Sequence, residues 1–372
     1  MTEGLVTIDN ETNVVKMQQL SDTFSRLKTK QTVIDKAELF YAEDIDRMLI
    51  GNGTAQGQNR PVFLDSAHEA FISVIDGILK SRDLTQVHAV EIASGTTRAG
   101  RSFTANDEWA WISARRIDGD YDNIHLWDYI PISRQAGSVG EDTYTAGTVN
   151  AYIIDIDGDY NYGDDGHVVG HHIDFMIPTI GKNVKWQIAD NNNATADENI
   201  VWLTTNLYAY LNGKNNYTTN AYNSVAHGGD YSSGGYIDLM PTKLKSVMRE
   251  FRMYLPKRYS ANGLITAANA GGWCDAGKMR TFSETELYGT PLNSYAQNTG
   301  DGGLNFDNNG TPRQKAGFKY INPQKLWGRF HVWTLSATTG VSNRACIVDT
   351  GGSANAGYCT RSWFSSPAAF RV

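Results

Sequence analysis

Only three cysteines, Cys274, Cys346 and Cys359, occur in 372 residues, with no C-x-x-C spacing. An odd, scattered set excludes a zinc-finger arrangement and argues against the disulfide framework of a secreted domain, so assembly in a reducing cytoplasm is expected. No run approaches the roughly 18 apolar residues of a membrane span, and membrane insertion is not expected. The opening MTEGLVTIDNETNVVKMQQL lacks the basic start and apolar core of a secretory signal. Positive charge is also short: 33 Lys and Arg against 40 Asp and Glu give a net charge of -7 and a pI near 5.6. Without a basic field to attract phosphate, nucleic-acid binding is not expected. The one basic cluster, Lys243, Lys245, Arg249 and Arg252 with Lys257 and Arg258, reads as a solvated helix face.

What is present describes a folded protein. Hydrophobic residues at 41% and charged residues at 20% lie far from the signature of disorder, and the length allows two or three domains. From about Glu11 to Gly51 the pattern is helical, with Met17, Leu20, Phe24 and Leu27 on the seam of a short coiled coil. Such a helix either bundles with copies of itself, packs on a neighbouring protein, or lies on its own domain. Gly51 to Pro61 reads as a linker, and Asp65 and Ser66 cap a second helix whose stripe is Ala67, Phe71, Val74, Ile75, Ile78 and Leu79.

Past Val87 short β-like runs follow: 89–92, 109–117, 124–132, 149–156, 184–188, 346–348 and 368–372. Helix-like stretches lie at 201–211 and at 239–253, the latter with Pro241 at its first position. The fold class is therefore α+β with long loops. A helical attachment segment is expected over 1–60, a connecting helix over 61–86, and a domain of short twisted strands, two or more helices and long loops over 87–372.

Few residues assemble into chemistry. Asp155, Asp157, Asp159 and Asn161 place oxygens at positions 1, 3, 5 and 7 of a calcium-type loop, but Tyr160 stands where that loop needs glycine and Gly166 where it needs glutamate. A solvated Asp/Gly turn and a calcium site are the two readings. His167, His171, His172 and Asp174 suit zinc only on a helix, and the glycines and valines among them favour extended backbone. Glu284 and Glu286, two apart, diverge on a helix and are no glycosidase pair; Ser283 and Glu286 instead form a capping box. No G-x-S-x-G elbow, activated cysteine or phosphate loop is found, so no catalytic residue is expected.

The last hundred residues carry a resemblance. Residues 272–288, GWCDAGKMRTFSETELY, resemble the G-W-R-L-P-T-x-x-E-W stretch of the formylglycine-generating-enzyme-like branch of C-type-lectin folds. FHVWTLSA at 330–337 resembles its Y-W-L-R-S strand, ACIVDTGG at 345–352 the following hairpin, and SPAAFRV at 366–372 the closing V-R-P-A-F-x-V strand. With the upstream HIDF at 172–175, this ordered set is similar to phage tail and head fibre proteins and to the variable proteins of diversity-generating retroelements. Phe282 stands where that pattern has proline, and Ser366-Pro367 where it has Arg-Pro.

The resemblance implies a C-type-lectin-like domain over 87–372, its motif-bearing core at 272–372, with Trp327, Phe330, Trp333 and Phe370 in an aromatic core. It implies a non-enzymatic virion protein, a tail or head fibre or receptor-binding protein assembled in the host cytoplasm as a homotrimer. Such a protein would bind a host surface protein or glycan and dock to other virion proteins through its N-terminal segment. A capsid or neck decoration protein is the alternative. An oxidase of the formylglycine-generating type would need a redox cysteine pair, for which Cys346 and Cys359 are the candidates. The expected ligand-facing residues are Thr338, Asn343, Arg344, Asn355, Tyr358, Arg361 and Trp363, where aromatic and Arg anchors mix with small polar residues as in a paratope. No cofactor is expected unless the acidic loop holds calcium.

Overall fold

In the computed structural model the chain divides into two compact units, Met1–Leu79 and Lys80–Val372. The structure describes residues 81–164, 167–187, 200–213, 231, 233–255, 272–290, 292–294, 314–319, 330–338 and 343–372, and the backbone of five short strands before residue 51. These strands are β1 (Ile8–Asp9), β2 (Val14–Val15), β3 (Ser21–Asp22), β4 (Leu39–Ala42) and β5 (Arg47–Ile50). An uninterrupted helix over 11–51 is thus not formed: the β-branched Val14-Val15 pairs with β1, and Leu39-Phe40-Tyr41 runs antiparallel to β5. The seam residues Met17, Leu20, Phe24 and Leu27, and the helix expected from Asp65, lie outside the described residues.

The second unit is mixed α+β. It opens with α1 (Leu84–Ser94) and α2 (Glu108–Asp118), at two places where short strands were expected, 89–92 and 109–117. Short apolar runs do not distinguish the two structures; their flanks do. The Asp83 side chain accepts from Thr85 N at the start of α1, and Gly95 and Gly119, with φ of 71° and 63°, close the two helices in the left-handed conformation that glycine adopts without strain.

Next come β6 (Tyr129–Arg134), the small hairpin of β7 (Gly137–Val139) and β8 (Asp142–Tyr144), the long β9 (Gly147–Ile156) and β10 (Ile173–Ile177). Residues 184–187, expected as a strand, carry no regular strand, although Val184 N and Gln187 N bond to the carbonyls of Phe364 and Cys359. A short 3-10 turn at Trp202–Thr204 leads into α3 (Asn206–Asn212). The single helix expected over 239–253 is divided into a 3-10 turn at Tyr236–Leu239, α4 (Thr242–Val247) and the strand β11 (Arg252–Leu255). Pro241 sits at the N-cap with ψ of 142°, so the helix starts after it rather than on it.

The motif-bearing segment supplies β12 (Gly272–Asp275), β13 (Met279–Arg280), α5 (Glu284–Tyr288), β14 (Val332–Ala337), β15 (Arg344–Val348), β16 (Ala354–Tyr358) and β17 (Ala368–Arg371). A five-stranded antiparallel sheet has the order β13-β17-β10-β9-β6, so the closing strand lies inside it. Its core stacks Phe175 on Phe370 with centroids 5.2 Å apart, and Trp109 packs edge-on against both. A second, three-stranded sheet runs β14-β15-β16. Segment 364–366 ties it to the rest: Trp333 N bonds to Ser365 O, while Val184 N and Ile180 N bond to Phe364 O and Ser366 O. Three buried indoles satisfy their N–H groups on backbone carbonyls, Trp186 on Thr334, Trp202 on Ala276 and Trp333 on Val184. Of the aromatics expected in the core, Trp333 and Phe370 are buried, Phe330 is 63% exposed, and Trp327 lies outside the described residues.

Candidate binding surface

The acidic loop that follows β9 points mostly inward. Asp155 and Asp159 are buried, and together with Asp174 of β10 they surround the Lys315 ammonium at 3.2, 2.6 and 2.9 Å. Arg371 of β17 binds Asp174 through two bonds of 2.6 and 2.8 Å and also contacts Asp159. Glu286 of α5 adjoins the same lysine and pairs with Arg280 through Nη1 at 2.6 Å. Asp157 turns the other way: it accepts from Tyr121 Oη at 2.9 Å, from His172 N at 2.7 Å and from His171 Nδ1 at 2.6 Å. The calcium reading of Asp155, Asp157, Asp159 and Asn161 is therefore corrected. A lysine sits where a cation would, and the carboxylates diverge.

Asp159, His172 and Asp174 bring three metal-ligand atoms within 4.8 Å of one another. The donors are already engaged. His172 Nδ1 donates to Gly170 O, Nε2 accepts from Asp159 N, and Lys315 and Arg371 hold both carboxylates. Burial lowers the His172 pKa, which keeps the imidazole neutral in that role.

Three cations (Arg280, Lys315, Arg371) face four carboxylates (Asp155, Asp159, Asp174, Glu286), so full ionisation leaves one negative charge in excess. Burial pushes Asp155 up to about 7, against the pull of Lys315, whereas Asp174 and Asp159 resist the same burial because Lys315 and Arg371 hold them well below the usual carboxylate range. The folded Asp155 thus keeps a proton that the unfolded chain, near 3.8, has lost, and this stabilising contribution disappears as pH rises through 7. An Asp155→Asn protein is expected to gain stability relative to wild type as pH rises from about 4 to about 7, and to keep that gain above 7, read from paired denaturant titrations. His172 acts oppositely, its contribution being present above 6.5 and lost as pH falls, and the substitution leaves that limb in place. Parallel pH profiles for the two proteins contradict the assignment.

Glu284 and Glu286 are both consumed by structure. The Ser283–Glu286 capping box forms as expected, and the Glu284 carboxylate gathers the amides of Leu292, Asn293 and Ser294. All three cysteines are buried and none is in a disulfide, and burial pushes the Cys346 thiol well up.

The exposed chemistry lies on the three-stranded sheet and the segment after it. Arg344 and Tyr358 are cross-strand partners, with the guanidinium 4.7 Å from the ring centroid. Arg361 lies 5.3 Å from the same ring and 5.8 Å from that of Trp363. Trp363, half-exposed, meets His331 and the buried Phe364 edge-on, and Phe364 in turn packs on Trp333 at 4.6 Å. Gly357 makes this possible, because a Cβ there would lie 2.4 Å from the Phe364 ring. Exposed Phe330 precedes His331 in the chain.

Of the expected ligand-facing residues, Arg344, Tyr358, Arg361 and Trp363 are thus brought together. Asn355 is exposed, but its side-chain oxygen accepts from Ala356 N at 2.8 Å. Asn343 contributes a backbone carbonyl to Cys359 N. Thr338 is corrected: it is buried, its hydroxyl 3.7 Å from Cys346 Sγ, because it directly follows a strand buried along its whole length. Phe330 and His331 were missed as surface residues, since strand-like sequence gives no sign of where burial begins. Compared with known protein families, characterised proteins and solved structures, the chain matches none.

Proposed function

We propose that this chain is a non-enzymatic bacteriophage virion protein, a tail or head fibre or receptor-binding protein. In this reading its second unit is a C-type-lectin-like domain, and it attaches to the host through the Arg344–Tyr358–Arg361–Trp363 face. The observation that carries the reading is that face itself: half-buried Arg344 and Tyr358 beside exposed Arg361 and Trp363, braced by the buried Phe364–Trp333 stack at the edge of a small sheet whose first strand is entirely core. The ordered motifs at 272–288, 330–337, 345–352 and 366–372 support it, as does their use: Arg280, Glu286 and Arg371 build the ionic core and leave the loops between for contact. Homotrimeric display would multiply a modest single-site affinity.

Replacing Tyr358 and Arg361 together by alanine is expected to slow adsorption to host cells by an order of magnitude or more, since such anchors contribute about 2 kcal/mol each. Stability should change by no more than about 0.5 kcal/mol, the two side chains being partly or fully exposed. A double variant that melts normally and still adsorbs at the wild-type rate would replace the attachment reading with capsid or neck decoration.

A further inference from the structure

The attachment reading leaves the partner's chemistry open. Resting on that reading, we infer that the Arg344–Tyr358–Arg361–Trp363 face takes an acidic segment of a partner protein. Arg361 holds a carboxylate side chain, and Trp363 receives an apolar side chain next to it.

Charge is the first reason. In a chain of net charge -7 this face carries two guanidinium groups. The carboxylate of the same hairpin, Asp349, is turned onto the amides of Gly351 and Ser353. Arg361 is exposed and makes no ion pair among the described residues; it rests on two aromatic rings. A guanidinium supported in this way keeps its N–H fork available for bidentate binding of a carboxylate.

Apolar exposure is the second. Trp363, 50% exposed and 5.8 Å from the Arg361 guanidinium, presents ring surface that an apolar side chain would cover. A uronic-acid oligosaccharide offers the carboxylate without such a side chain, whereas an acidic peptide offers both. Strand addition is not the mode, because Asn355 occupies the Ala356 amide at the outer strand of this sheet, so the partner is held through side chains.

A random peptide library displayed on particles, selected on the full chain and on its Arg361→Gln variant, tests this. Peptides selected on the wild type should place Asp or Glu close to an apolar residue, and should not be recovered on the variant. Exchanging the acid for its amide in the best peptide should weaken binding about tenfold or more. The same loss should appear with Arg361→Gln and grow little when the two changes are combined, as a direct contact requires. A neutral or basic consensus, or acidic peptides that bind both proteins equally, would overturn the inference. So would a failure to select any peptide while oligogalacturonate binds and its methyl ester does not. If adsorption is lost in the Tyr358/Arg361 double variant and no acidic peptide is selected, this inference falls and the attachment reading stands. If acidic peptides bind as described and adsorption is unchanged, the reverse holds.

Discussion

Replacing Lys315 with methionine is expected to destabilise the second unit by about 3–5 kcal/mol, the usual consequence of removing one partner from a buried ionic group. The ammonium is fully buried between Asp155, Asp159 and Asp174, and its pKa is raised because these carboxylates outweigh the effect of burial. Without it, Arg371 is left to hold Asp159 and Asp174 while Asp155 loses its cation, and at least one of the three must bind a proton or draw in water. In a unit of this size the loss corresponds to a fall of about 5–8 °C in Tm. Adding Asp155→Asn should restore part of it, because Asp155 then no longer has to take up a proton on folding. A Lys315→Met protein that melts within about 1 kcal/mol of wild type would mean that the carboxylates rearrange without the cation.

Trp333→Ala should cost about as much, about 3–5 kcal/mol, by a different route. The indole is fully buried, donates to Val184 O and forms the floor on which Phe364 rests. Its removal leaves a large cavity and an unpaired carbonyl in a part of the chain that no regular strand supports. In urea the midpoint should fall with little change in slope. Because Trp363 leans on Phe364, the same variant should also weaken attachment, unlike other core substitutions of equal cost such as those around Phe175 and Phe370. Normal adsorption by a Trp333→Ala protein at a temperature where it is folded would show that the exposed aromatics do not depend on this stack.

Local signals were legible in proportion to how locally they act. The Ser283–Glu286 capping box spans a single turn, and it forms as its spacing predicts. The strands at 149–156, 346–348 and 368–372 declare themselves through β-branched and apolar residues that need only a partner on each side. Residues 89–92 and 109–117 were misleading because a run this short fits either period. The deciding residues, Asp83, Gly95 and Gly119, stand outside the runs.

The sequence by itself determined the class of the molecule: an acidic, mixed α+β chain without a basic field, a disulfide framework or an apolar run long enough to span a membrane. It also marked Arg344, Tyr358, Arg361 and Trp363, together with Thr338, Asn343 and Asn355, since aromatic, Arg and small polar residues are concentrated in 338–344 and 353–364. Only the tertiary structure decided what the acidic loop holds. Asp159 meets Lys315 across 156 residues and Arg371 across 212, separations over which no spacing rule operates, and the same side chains that suit calcium suit a buried ammonium equally well. Burial likewise separated Thr338 from Tyr358. Both are polar residues at the end of a strand, Thr338 just after β14 and Tyr358 closing β16, and which of them reaches solvent depends on what packs beneath the sheet.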